Sequence, residues 1–222
     1  MGMLRDFFLA RRLRKGPTLL LPYAPDPVTV LETVRLHDPG ARPYGRGLKI
    51  GENVELRGPI ELTPELAARA GLPAGWGAAF LARSIDGEAG GDFARPKLVV
   101  RGLAERLGGR EHPECRESPE DLAEIIGARI IPVDEVIALL ADDVPGLAVA
   151  AVTQSGTTLL TSAESPIEVF VNEWDADDVT YELSADAGYD RDVPATARRA
   201  ALALAARAGG VVRDHNGFLV TD

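Results

Sequence analysis

The sequence contains a single cysteine, Cys115, so an internal disulfide is impossible and the cross-linked framework of small secreted domains is excluded. No apolar run approaches the roughly 20 residues that span a bilayer, and the N-terminal apolar patch, Phe7 to Ala10, is shorter than the roughly 7-residue core of an export signal. These shortages predict a cytoplasmic protein. Lysine is almost missing: Lys15, Lys49 and Lys97 stand alone among 24 basic residues, the rest being arginine, a bias typical of a GC-rich bacterial genome. Histidine is limited to His37, His112 and His215, in unrelated places. No nucleophile elbow, His and Asp constellation or dinucleotide fingerprint is present, and no cofactor is implied.

What is present is an ordinary globular composition, 45% hydrophobic and 26% charged over 222 residues. Acidic residues outnumber basic ones 34 to 24, and a net charge of −10 opposes a nucleic-acid backbone as partner. The charge is uneven. Residues 1–16 hold five basic residues (Arg5, Arg11, Arg12, Arg14, Lys15) against Asp6, leaving 19 basic and 33 acidic residues in the remainder. Leu4, Phe7, Phe8 and Leu13 make this segment an amphipathic helix. Docking on its own acidic body, with Phe7 and Phe8 as packing residues, is favoured over lying on an anionic membrane, because a peripheral helix needs more apolar length or a second anchor.

The chain is organised by a stretch that occurs twice, Leu103–Gly109 and Leu204–Gly210, each reading as the end of a helix stopped by a glycine pair. Three further anchors recur in order: Pro39 and Gly40 with Pro145 and Gly146; Pro59 to Leu62 with Pro166 to Val169; and Phe80 with Tyr181. The offsets agree if the loop Gly71 to Gly77 is an excess in the first half. Fixed-period self-similarity of this kind predicts an α+β fold, a tandem duplication of a ferredoxin-like βαββ(β)αβ unit, with antiparallel sheets carrying helices on one face. The expected divisions are a basic segment 1–16, a first repeat 17–117 and a second repeat 118–222, joined through the polar stretch Arg110 to Pro119. Local reading adds helices at Asp26 onward, Pro64 to Ala70, Pro96 to Leu107, Asp121 to Ile126, Asp134 to Ala141 and Ala195 to Ala208, a glycine-rich turn at Asp86 to Gly91, and a hairpin turn at His215 to Gly217. The expected core includes Leu20, Leu31, Ile60, Phe80, Leu103, Leu107, Ile137, Val149, Val169, Tyr181, Leu202 and Leu204.

Chemistry-bearing clusters are sparse. Glu111, His112, Glu114, Cys115 and Glu117 contain zinc-ligand types without a second pair, so an acidic linker is the better reading and no metal is expected. Glu173, Asp175, Asp177 and Asp178 lack the glycine and distal glutamate of a calcium loop. Alternation places Glu168, Phe170, Asn172, Thr180, Glu182 and Ser184 on one sheet face, with Glu61, Thr63, Leu81 and Arg83 in matching places of the first half. The expected binding residues are therefore Glu61, Arg83, Glu168 and Glu182, in a cleft between the repeats. The functional expectation is a non-catalytic binding or regulatory module that engages a protein or small ligand. The alternatives are a small enzyme with Glu61, Glu168 and Glu182 as acid and base, and a tether in which Arg11 to Lys15 holds a membrane or an acidic partner.

Overall fold

The computed structural model describes residues 2–85, 94–114, 120–154, 156–175, 178–186 and 188–220. The turn expected at Asp86 to Gly91, together with Cys115, Glu117 and Asp177, lies outside the described residues. The chain is α+β, with two antiparallel six-stranded sheets. It divides into two compact units, Met1–Arg116 with Asn216–Phe218, and Glu117–His215 with Leu219–Asp222.

The first unit opens with helix α1 (Gly2–Lys15) and strand β1 (Thr18–Leu21). Helix α2 (Pro27–His37) begins where Asp26 accepts the Val28 N–H, with proline in the first turn, a position where a missing N–H costs nothing. Strands β2 (Arg42–Tyr44), β3 (Gly47–Ile50) and β4 (Val54–Glu61) follow, then α3 (Pro64–Ala70), capped by the Thr63 hydroxyl. Strand β5 (Ala78–Ser84), α4 (Ala94–Leu107) and β6 (Arg110–His112) complete it. The sheet order is β2-β3-β4-β5-β1-β6.

The pleat sends alternate side chains to opposite faces, and both faces of this sheet are apolar. Leu19, Leu21, Leu56, Phe80 and Ala82 pack with Val30, Val34, Val99 and Leu103 of α2 and α4. Leu20, Ala79 and Ile60 point the other way and pack with Ala10 and Leu13 of α1 and Leu66 and Ala70 of α3. Helices on one face alone were expected; the second apolar layer requires its own cover, and α1 and α3 supply it. Phe7 and Phe8 are not the packing residues: they are 60% and 55% exposed, while Leu13 is fully buried.

The second unit contains β7 (Asp121–Ala128), α5 (Val133–Leu140), β8 (Ala148–Val152), β9 (Thr157–Thr161), β10 (Ile167–Asp175), β11 (Asp178–Ala185), α6 (Val193–Ala208) and β12 (Val211–Asp214). Its order, β12-β7-β11-β10-β9-β8, repeats that of the first sheet when elements are matched in sequence. Residues 121–126 are a strand rather than the expected helix. Their backbone bonds to β11 on one side and β12 on the other, and pairing on both sides overrides a short local helix signal. Ile167, Val169, Val171, Val179, Tyr181 and Leu183 form the core with Val136, Leu140, Ala197, Ala201 and Leu204 of α5 and α6. The buried Tyr181 hydroxyl accepts the Ile131 N–H and donates to the Arg129 carbonyl, both at 3.1 Å. Val149 is no core residue: it is 50% exposed, on β8, which is an edge strand of the sheet, and among the described residues none pairs with its outer side.

Candidate functional site

The second face of the first sheet carries polar residues where β4 and β5 run out beyond α1. Glu55 and Arg57 lie two apart on β4 and therefore share a face, and register places Arg83 of β5 opposite Glu55. Glu55 is buried, with only 3% of its side chain exposed. One carboxylate oxygen accepts from Arg57 Nε at 2.6 Å, and the other from Arg83 Nε at 2.6 Å and Nη2 at 2.5 Å. Burial raises the Glu55 carboxyl, but the hydrogen bonds and charges of Arg57 and Arg83 outweigh it and hold the group below its ordinary value. Glu55 thus stays ionised and orients the guanidinium groups of two arginines whose side chains are 43% and 45% exposed.

Helix α1 brings more positive charge to the same place. Phe8, Arg11, Arg12 and Lys15 line a groove of about 440 Å3 with Arg57, Leu81 and Arg83. Among the described residues no carboxylate pairs with Arg11, Arg12 or Lys15. Arg14 differs: its guanidinium donates to the Arg69 and Ala70 carbonyls at the end of α3 and so holds α1 down. Five cations with one buried carboxylate between two of them leave a positive groove on an acidic chain. Such a site binds an anionic group by charge-assisted hydrogen bonds.

Of the expected site residues, Arg83 lines this groove and Glu61 lines its continuation along β4. Glu168 and Glu182 belong to the second unit, on adjacent strands, where Glu168 stands opposite Ser184 and Glu182 opposite Phe170. Glu182 also stands opposite Glu124 of β7. Burial first, then the charges of Glu182 and Asp121, push the Glu124 carboxyl up against the pull of Arg213. The expected site omits Glu55, whose signal is an acid two residues before an arginine, set between the apolar Val54 and Leu56.

In the candidate zinc cluster, Glu111 is buried and pairs with Arg101 at 3.3 Å, and Glu114 pairs with Arg110 at 2.5 Å. These carboxylates are committed to arginines. Burial and the Arg110 charge hold the His112 imidazole below its ordinary value. Among the described residues no helix is long and apolar enough to cross a membrane.

No family model matches the chain, and neither a curated protein nor a solved structure matches it. The reading of function therefore rests on the groove.

Proposed function

We propose that this chain is a non-catalytic binding module built from two copies of one α+β unit, and that the groove between α1 and strands β4 and β5 takes an anionic ligand. The duplication is supported by the common strand order and by the glycine-stopped helices α4 and α6 in corresponding positions. Within the first unit, β6-β1-β5-β4 with α2 and α4 on one face has the ferredoxin-like arrangement, to which β2 and β3 add an edge hairpin. Helix α3 belongs with the Gly71 to Gly77 loop to the excess of the first copy, since β10 runs into β11 without a helix. A cytoplasmic, bacterial setting fits the lone cysteine and the arginine bias.

One observation carries the function: Arg11, Arg12, Lys15, Arg57 and Arg83 converge on one groove of a chain whose net charge is −10. Holding like charges together on an exposed surface costs energy, and an anion offsets that cost. Calorimetric titration of the full chain with tripolyphosphate and with a glutamate-rich peptide tests the reading. Binding of either, weakened by added salt and by Arg12→Glu with Lys15→Glu, is the expected result. If neither probe binds, no anion site exists.

A second reading, acid and base catalysis, is favoured by the raised Glu124 carboxyl beside Glu182. Carbon-13 NMR titration of both side chains tests it, and two ordinary carboxylate values would remove it.

A further inference from the structure

The cationic groove does not end at Arg57. Phe8, Arg12 and Arg57 are shared with a larger cleft of about 1090 Å3 that runs along β4. There the lining changes character: Leu9, Tyr44, Ile60 and Leu66 supply apolar and aromatic surface, and Asp6 and Glu61 add carboxylates beside one more cation, Arg46. Resting on the proposed anion groove, we infer that its ligand is an extended peptide segment with acidic residues at one end and apolar or aromatic residues next to them.

Three physical points favour this class. The larger cleft alone reaches the upper end of the roughly 300–1,000 Å3 that small-molecule pockets occupy, so a lone phosphate group leaves most of it empty. A uniform polyanion, such as a nucleic-acid strand or long polyphosphate, gains from Arg11, Arg12 and Lys15, but further along it finds apolar surface and the carboxylates of Asp6 and Glu61 with Arg46 as the one added cation, so the row of positive charge does not continue. An acidic and then apolar peptide meets complementary surface at both places. A bilayer fits less well, because Ala10 and Leu13 of α1 are buried in its own unit, only Phe7 and Phe8 among its described apolar side chains stay exposed, and a flat surface does not fill a concave groove. Strand β4 is hydrogen-bonded to β3 and β5 on its two sides, so the peptide is read by side chains rather than by strand addition.

Fluorescence anisotropy on the full chain decides the matter. The probes are a labelled peptide with glutamates followed by leucine and phenylalanine, an all-glutamate peptide of equal length, tripolyphosphate as competitor, and phosphatidylserine vesicles. The mixed peptide is expected to bind about tenfold or more tightly than the all-glutamate one, since each tenfold corresponds to about 1.4 kcal/mol, within reach of one buried aromatic or aliphatic side chain. Tyr44→Ala should weaken the mixed peptide and leave tripolyphosphate unaffected, whereas Arg12→Glu should weaken both. All of these side chains are exposed, and matching melting curves establish that the variants fold; Lys15→Glu replaces Arg12→Glu if that variant does not. Equal affinity for the two peptides, or preference for vesicles over peptide, overturns the peptide inference while leaving an anion site. Failure of every probe overturns both.

Discussion

A Cβ placed on Gly102 would lie 2.2 Å from Cε2 of Phe218, so the ring of Phe218 occupies the space that this glycine leaves open on α4. The ring is fully buried in the core of the first unit, 4.9 Å from the His37 ring and with the Arg106 guanidinium 4.4 Å above it. Asn216 donates to Glu105 beside it. Glycine inside a helix costs about 1 kcal/mol relative to alanine, and here the loss is offset by the burial of an aromatic side chain in the space it leaves.

Two substitutions test that relationship. Phe218→Ala should cost about 3–5 kcal/mol, through lost burial and the cavity left behind. Gly102→Ala should destabilise despite better helix propensity, because the methyl group collides with the Phe218 ring and the ring must shift within a packed core. The double variant should be more stable than the sum of the two losses, with a coupling of about 0.5–3 kcal/mol in denaturant titrations. Strict additivity would mean that the two positions do not share one space.

The glycine stops give a second prediction. Gly108, Gly209 and Gly210 hold φ of 65°, 81° and 87°, the left-handed region that a side chain with a Cβ disfavours. Gly109 is different: a Cβ there would sit 2.6 Å from the Leu20 carbonyl oxygen, so close packing against β1 demands glycine. Gly210 combines both, with a Cβ 2.7 Å from the Ile126 carbonyl oxygen. Valine at each of the four should lower the thermal midpoint, most at Gly210. Unchanged midpoints at all four would refute the role of the pairs as caps.

Glu55 makes the first unit acid-sensitive. Its folded-state carboxyl lies below the ordinary value of 4.5, so its stabilisation is full above that value and is lost as pH falls through the folded value. Glu55→Gln should cost about 1 kcal/mol at neutral pH, since its arginine partners are partly solvated, and should flatten the acid limb of a stability profile. A variant with the parent's acid limb would show that the Glu55 carboxylate contributes nothing there.

Much of the element order was legible because the signals behind it are local, but Arg110 to His112, expected as part of a polar linker, are strand β6, paired with β1. Asp26 with Pro27 marks the start of α2, the alternation of Ile167, Val169 and Val171 marks a half-buried strand, and the alanine-rich run marks α6. What stayed hidden depends on partners distant in sequence. Residues 121–126 look helical until β11 and β12 flank them. Val149 reads as core until its strand falls at a sheet edge. Phe218, which directly follows the expected hairpin turn at His215 to Gly217, is a core residue of the first unit. Of the candidate site, alternation marks Arg83, and the charge pattern marks a docked basic helix at residues 1–16; that the helix seats through Leu13 and not through Phe7 and Phe8, which brings Arg11, Arg12 and Lys15 to the same groove, depends on partners far along the chain.

Glu124 shows the opposite pH behaviour from Glu55. Its folded carboxyl is held above 4.5 by burial and by Glu182, so the native state keeps its proton to a higher pH than the unfolded chain does. The stabilisation from that proton is full below the unfolded value and is lost as pH rises through the folded value, so at neutral pH an ionised Glu124 faces Glu182 at a cost. Arg213, paired in register with Glu124 on β12, reduces the cost without abolishing it. Glu124→Gln should therefore raise the melting midpoint at pH 7, and the advantage over the parent chain should shrink as the medium is acidified below 4.5. Glu182→Gln should give part of the same gain by removing the repelling charge, and the double variant should gain less than the sum because one repulsion is removed twice. A stabilisation that stays constant from acid to neutral pH would assign the effect to packing of the amide and not to the carboxylate charge.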